Sequence, residues 1–153
     1  MPARCAYADS VSTRTRRPST VSGAANAAFP SLGIDVSQQL GDRFAVGVQF
    51  TTLIFAHNDL SARARWFVVA ERRAGLYLGT NLHLWYSPLI INGLAPAGTL
   101  EAGYEWRADG GFTLGLGLGG GLIWIPPGGR GLGAQARWSG LPLVNLRIGE
   151  SSP

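Results

Sequence analysis

Side-chain character alternates with a period of two residues along most of the chain beyond residue 31, and this alternation most constrains the fold. Successive side chains of a β-strand point to opposite faces, so the pattern predicts strands with one apolar face. Leucines that alternate with glycines in residues 112–124 are the clearest case. Seven strands are predicted, at residues 32–40, 43–53, 60–70, 75–86, 99–107, 112–124 and 142–149.

A transmembrane helix is the main alternative for residues 110–129, which carry no charge and reach the length of about 20 residues that a helix needs to span a bilayer. Five glycines between Gly115 and Gly121 argue against it, because each destabilises a helix interior by about 1 kcal/mol. Their spacing is mostly two, which a helix does not require. The segment is therefore predicted to be a strand.

The links between the predicted strands alternate between short and long. Short polar turns lie at residues 41–42, 71–74 and 109–111, and longer links lie at residues 54–59, 87–98 and 125–141. This asymmetry is typical of transmembrane barrels, whose short turns are periplasmic. An even strand number then requires one more strand before residue 32, which we expect this chain to lack. An alternative count makes residues 131–138 a strand that joins residues 141–149 through Ser139-Gly140.

Composition limits the classes of protein to consider. Residues 1–30 show no sustained alternation, so we expect them to be disordered or processed and residues 31–150 to form one barrel domain. The net charge of +4 comes from arginines without a basic stripe, which argues against a nucleic-acid partner. One cysteine excludes an intramolecular disulfide, and two distant histidines offer no metal site. We expect no cofactor.

Two observations indicate that the apolar face points outward, into lipid. The opposite face is rich in Gly, Ser, Thr, Asn and Gln and would be a poor soluble exterior. The apolar side chains would also overfill the interior of an eight-stranded barrel. The outward aromatic residues are predicted to form two interfacial belts, near the short turns (Phe44, Trp106, Phe112) and near the long loops (Phe50, Tyr86, Trp124).

The inward face carries a polar set that we predict to form an Arg–carboxylate network with Glu101 and Glu105 as acceptors, because buried charges must be paired. The set is Asp35, Arg63, Arg65, Asn81, His83, Glu101, Glu105, Arg107, Asn145 and Arg147. The network either plugs the lumen or lines a narrow ion path. The inward glycines of residues 115–121 either make room for Tyr77 and Trp85 on the adjoining strand or leave a thin water-filled gap.

The two histidines are given no catalytic role. Serine-dependent hydrolysis needs a serine close to a histidine and an acid, and no serine lies beside His83 along its strand. His57 is predicted to be a solvated loop residue next to Asn58 and Asp59.

Residues 32–149 resemble the small bacterial outer-membrane β-barrel family, of the eight-stranded OmpA and OmpX type. The resemblance is carried by LGDRFAVGVQF (40–50), AGLYLGTNLHLWY (74–86), LEAGYEWR (100–107) and LPLVNLRIGE (141–150). It implies an all-β, antiparallel up-and-down transmembrane barrel in the outer membrane, with the lipid bilayer and the barrel-assembly machinery as partners. The chain departs from the family in showing no signal peptide or first strand and in ending in Glu-Ser-Ser-Pro instead of an aromatic residue.

The function expected from these observations is structural or interactive, in the cell envelope, with the long loops as an extracellular contact surface. The loop that contains Pro126-Pro127-Gly128-Gly129 is expected to be the most exposed. Two alternatives stay open. One is a soluble or periplasmic barrel that carries a small lipophilic ligand, and the other is a lipid-modifying outer-membrane enzyme.

Overall fold

The computed structural model describes residues 19–26, 31–53, 56–70, 74–88, 93–127 and 137–152. They form eight strands: β1 (Ser19–Asn26), β2 (Ser31–Gln39), β3 (Phe44–Leu53), β4 (His57–Ala70), β5 (Ala74–Tyr86), β6 (Leu94–Arg107), β7 (Phe112–Ile125) and β8 (Arg137–Ser152). Each strand pairs antiparallel with the next, and β1 pairs with β8 to close the barrel. The predicted all-β, up-and-down, eight-stranded barrel is confirmed.

The first strand differs from what the sequence predicts. β1 lies within residues 1–30, so the strand that we expected to be missing is present, and the barrel begins at Ser19 instead of residue 31. Its sequence, STVSGAAN, contains one large apolar side chain, that of Val21, which is why alternation did not reveal it. Pairing with both β2 and β8 defines it as a strand. The rest of the segment, residues 1–18 and 27–30, lies outside the described residues.

Three strands begin at least three residues earlier than the alternation predicted: β4 at His57, β6 at Leu94 and β8 at Arg137. Prolines interrupt the sequence pattern in two of them, at Pro96 in β6 and at Pro142 in β8. The loop-side links therefore shorten to residues 54–56, 87–93 and 126–136. The alternative strand count is wrong, because Ser139-Gly140 lies inside the continuous strand β8 and does not form a turn.

Large apolar side chains lie on the outer surface of the barrel. Leu32, Leu82 and Leu100 are 71%, 67% and 69% exposed, while polar side chains of the same strands are buried inside. Such a surface is unfavourable in water and suits hydrocarbon. This arrangement is opposite to that of a soluble barrel with an apolar core. Within the described part of the chain, no helix is long and apolar enough to span a bilayer.

Apolar side chains also fill parts of the lumen. A cluster in the loop-side half of β5–β8 consists of Trp85, Ala95, Ala97, Ile123, Ile125 and Leu141. A second cluster, of Ala45, Phe67 and Tyr77, lies on the turn side, across β3–β5. The polar residues of the lumen extend between and alongside these two clusters.

Two glycines of β7 allow a close approach between strands. A Cβ atom at Gly119 would lie 2.0 Å from the backbone oxygen of Leu100, and one at Gly121 would lie 1.9 Å from that of Gly98. Larger residues at these positions would push β6 and β7 apart. Part of the glycine run therefore serves the contact between strands and not the lumen.

Candidate functional site: the barrel lumen

The candidate site is the interior of the barrel, because alternation along β2–β8 directs most of the charged side chains there. Nine of the ten polar residues expected in the lumen are buried, namely Asp35, Arg63, Arg65, Asn81, His83, Glu101, Glu105, Asn145 and Arg147. The tenth, Arg107, is half-buried at the turn-side end of β6. Their contacts divide them into three groups.

The first group surrounds Glu105 near the turn side. Arg65 donates to Glu105 Oε2, and Arg107 donates to Glu105 Oε1 from Nη2 at 2.8 Å and from Nε at 3.0 Å. Both arginines also reach across to β2, since Arg65 donates to Ser37 Oγ at 2.8 Å and Arg107 to Gln39 Oε1 at 2.9 Å. One carboxylate therefore holds two guanidinium groups, which are further fixed by neutral acceptors.

The second group is built on Tyr77, which is fully buried. Arg147 Nη2 donates to the Tyr77 hydroxyl, and Arg147 Nη1 lies 3.8 Å from Glu101 Oε1. Asn145 Nδ2 lies 3.5 Å from Glu101 Oε2 and belongs to the same group. The guanidinium carbons of Arg147 and Arg65 lie 5.0 Å and 5.7 Å from the centre of the Tyr77 ring. These are cation–π distances, so the ring links the second group to the first.

Glycines provide the space that Tyr77 occupies. A Cβ atom at Gly103 would lie 2.3 Å from the Tyr77 hydroxyl oxygen, and one at Gly117 would lie 2.7 Å from it. Contrary to what the sequence predicts, Tyr77 does not lie on the strand that adjoins the glycine run. It lies on β5, two strands from Gly117, with Gly103 of β6 between them. Trp85 packs elsewhere, in the apolar cluster on the loop side.

The third group begins with an ion pair between β2 and β4. Arg63 Nη1 lies 2.8 Å from Asp35 Oδ2, and both side chains are 1% exposed. Arg63 Nε donates to Asn81 Oδ1 at 2.9 Å, and Asn81 Nδ2 donates to Thr99 Oγ1 at 3.0 Å. The contacts thus cross from β2 to β6 through one side chain each of β2, β4, β5 and β6.

His83 continues this chain of contacts back to β4. Its Nε2 lies 3.0 Å from Thr99 Oγ1, and its Nδ1 lies 2.9 Å from Asp59 Oδ2. An acid, an imidazole and a hydroxyl in this order match the arrangement that activates a nucleophile. All three side chains are buried inside the barrel, however, and none lies on its apolar outer face.

Several residues of this region were missed from the sequence. Asp59, Ser61 and Thr99 are buried in the lumen, and Ser61 is the direct cross-strand partner of His83. His57 was expected to be a solvated loop residue, but it is buried at the start of β4, and its ring lies 4.5 Å from that of Trp85, edge to face. Extending the alternation of β4 backward from Arg63 places Ser61, Asp59 and His57 inside.

The aromatic residues expected in two belts lie on the outer face. Phe44, Phe50, Tyr86, Trp106 and Phe112 are between 42% and 48% exposed, and Trp124 is half-buried. Trp106 and Phe112 face each other with ring centres 6.0 Å apart. Trp124 pairs across the strands with Trp138, an outward residue that the sequence analysis did not identify.

Comparisons with known proteins give one match. No family model matches the chain, and no curated protein is similar enough to match. The crystal structure of Neisserial surface protein A (NspA) matches with a TM-score of 0.51 and 14% sequence identity, over 86% of this chain and 94% of NspA. The similarity covers nearly the whole of both chains and shows the fold, a closed eight-stranded antiparallel barrel like that of NspA.

Proposed function

We propose that this chain is a bacterial outer-membrane protein with a structural or surface-interaction role in the cell envelope, and that its lumen is a plug and not a channel. The observation that carries this proposal is the inverted distribution of side chains, apolar outside and ionic inside. Backbone groups in lipid must be paired, and closure of β1 on β8 meets that requirement without free edges. The fold likeness to NspA, which is named as a surface protein, supports the same location.

A plug is favoured over an ion path by what occupies the lumen. The guanidinium groups of Arg63, Arg65 and Arg147 are each tied to a partner inside the barrel. Apolar clusters lie on both the loop side and the turn side of these groups. An eight-stranded barrel is just wide enough for its side chains to fill. With the lumen filled, we propose that interactions with other molecules take place at the surface of the barrel, chiefly at the loop-side links.

Lipid modification is a less favourable interpretation of the same geometry. Thr99, the hydroxyl nearest His83, is 2% exposed and also accepts a hydrogen bond from Asn81, so it is neither free nor in contact with the outer face. We propose that Asp59, His83 and Thr99 are structural. Hydrolysis of labelled lipid A by the purified protein, abolished in His83→Ala, would contradict this.

Two measurements on the folded protein test the proposal. In detergent, the unboiled chain should migrate differently from the boiled chain on a denaturing gel, as closed membrane barrels do. In planar bilayers, it should give no stable conductance steps. Regular single-channel steps would show that the lumen is an ion path and not a plug. A protein that is monomeric and soluble in water without detergent would contradict the membrane location.

A further inference from the structure

Apart from Asp35 Oδ2, which is ion-paired with Arg63, four buried oxygen atoms on one side of the lumen have no hydrogen-bond partner among the described residues. They are Asp35 Oδ1, Gln49 Oε1, Asp59 Oδ1 and Ser61 Oγ. Each of these residues is at most 4% exposed. Buried polar atoms are nearly always hydrogen-bonded, because leaving them unpaired costs free energy. A set of four in one region therefore indicates a ligand.

Strand register brings these side chains to the same part of the wall. Asp35 of β2 is the direct partner of Gln49 of β3, and Gln49 is the direct partner of Ser61 of β4. Direct partners in an antiparallel pair have Cβ atoms about 4.5–5.5 Å apart. Asp59 lies two residues from Ser61 on the same inward face of β4. The four side chains thus form a patch on three adjacent strands.

The two carboxylates of the patch are held in place through their other oxygens. Asp35 Oδ2 is paired with Arg63, and Asp59 Oδ2 is hydrogen-bonded to His83. Arg63 and His83 are joined through Asn81 and Thr99, so one continuous chain of contacts links the two carboxylates. The Oδ1 atoms of Asp35 and Asp59 take no part in this chain of contacts. In the strand register, Gln49 and Ser61 lie between these two carboxylates.

The distribution of charge favours a cation at this patch. Counted by carboxylates and guanidiniums alone, this chain of contacts contains two carboxylates (Asp35 and Asp59) and one guanidinium (Arg63). The Glu105 and Tyr77 groups contain three guanidiniums and two carboxylates: Arg65, Arg107, Arg147, Glu101 and Glu105. The patch therefore has an excess of one negative charge where the rest of the lumen has an excess of one positive charge.

We propose that Asp35, Gln49, Asp59 and Ser61 bind a small hard cation, of which Ca²⁺ is the representative probe. Carboxylate, amide and hydroxyl oxygens are the ligands such cations prefer. The proposed ligands are two carboxylates and two neutral oxygens, and they include neither the cysteine nor the histidine ligands that zinc prefers. The bound cation links β2, β3 and β4 in the loop-side half of the barrel.

Terbium luminescence tests this site directly on the full chain folded in detergent. Tb³⁺ replaces Ca²⁺ at oxygen sites, and Trp85, the cross-strand partner of Asp59, is close enough to sensitise its emission. We expect emission that saturates with Tb³⁺ and is displaced by Ca²⁺. Trp85→Phe should lose most of the emission and still bind Ca²⁺ by calorimetry.

Matched variants separate this patch from other oxygens of the protein. Asp59→Asn and Gln49→Leu should each weaken Ca²⁺ binding by about tenfold or more, the loss typical when a group that supports a metal site is removed. Gln38→Leu and Asp42→Asn are the controls, because one changes an outward amide and the other a carboxylate in a turn, and both should bind as the unaltered chain does.

Two results would overturn the proposal. One is the absence of Ca²⁺-displaceable emission, which would mean that ordered water alone satisfies the four oxygens. The other is unchanged Ca²⁺ binding in both Asp59→Asn and Gln49→Leu, which would mean that the cation binds at another site. If Asp59→Asn fails to fold, Ser61→Ala, which removes only a hydroxyl, is compared with Gln49→Leu by the same criteria.

Discussion

Glu105 illustrates how a single carboxylate supports the interior of this barrel. It accepts hydrogen bonds from Arg65 and Arg107. Arg147 is linked to this pair indirectly, because Arg147 and Arg65 both contact the ring of Tyr77. Removal of one partner from a buried ion pair leaves uncompensated charge, at a cost of about 3–5 kcal/mol. The charge left behind in this case would be that of two guanidinium groups.

We therefore expect Glu105→Ala to lower the free energy of unfolding by about 3–5 kcal/mol. Urea unfolding from lipid vesicles, followed by tryptophan fluorescence, measures it. Glu150→Ala changes an exposed carboxylate and should stay within about 0.5 kcal/mol of the unaltered chain. Equal stability of the two variants, together with no new conductance in Glu105→Ala, would show that the network around Glu105 is not holding the barrel together.

At the scale of residues, the sequence predicts which side of a strand a side chain faces but not what it contacts. Period-two alternation was enough to place Arg63 and His83 inside, because it is a local property of each strand. The partners Asp59 and Thr99 depend on the register between strands 16–24 positions apart in sequence, which alternation does not contain. The absence of a serine next to His83 along the chain likewise said nothing of Ser61 across the sheet.

Strand β6 contains two glycines with opposite structural roles. A Cβ atom at Gly103 would lie 2.3 Å from the Tyr77 hydroxyl and 2.5 Å from the backbone oxygen of Leu116. A Cβ atom at Gly98 would meet nothing within 4 Å. The strand therefore offers an internal comparison between a glycine that packing requires and one that it does not.

Gly103→Ala should be destabilised by about 1–3 kcal/mol, because the added methyl group overpacks the contact between β5, β6 and β7. Gly98→Ala should be neutral or more stable by up to about 1 kcal/mol, since alanine restricts the unfolded chain more than glycine does. The same urea titration measures both. If the two variants lose stability equally, the barrel does not require a glycine at residue 103 to make room for Tyr77.

Strands differ in how well the sequence identifies them, and β1 shows why. Most strands carry several large apolar residues on the outer face, such as Leu114, Leu116 and Leu118 of β7. β1 is mostly small and weakly polar, and it is a strand because β2 and β8 both lack another partner at their free edges. Barrel closure is a property of the whole sheet, so local pattern predicted the number eight but not the segment that completes it.

At the scale of the molecule, that closure makes β1 the strand on which membrane insertion depends under the proposed function. In hydrocarbon, each unpaired backbone group costs several kcal/mol, so the facing edges of β2 and β8 cannot remain open. Deletion of residues 1–26 exposes both edges, whereas deletion of residues 1–18 leaves every pair between β1 and its neighbours intact. We expect the shorter deletion to fold into vesicles and to keep heat-modifiable migration, and the longer one to lose it. A closed, heat-modifiable barrel after deletion of residues 1–26 would mean that β2 pairs directly with β8 in a seven-stranded sheet, and β1 would then be dispensable.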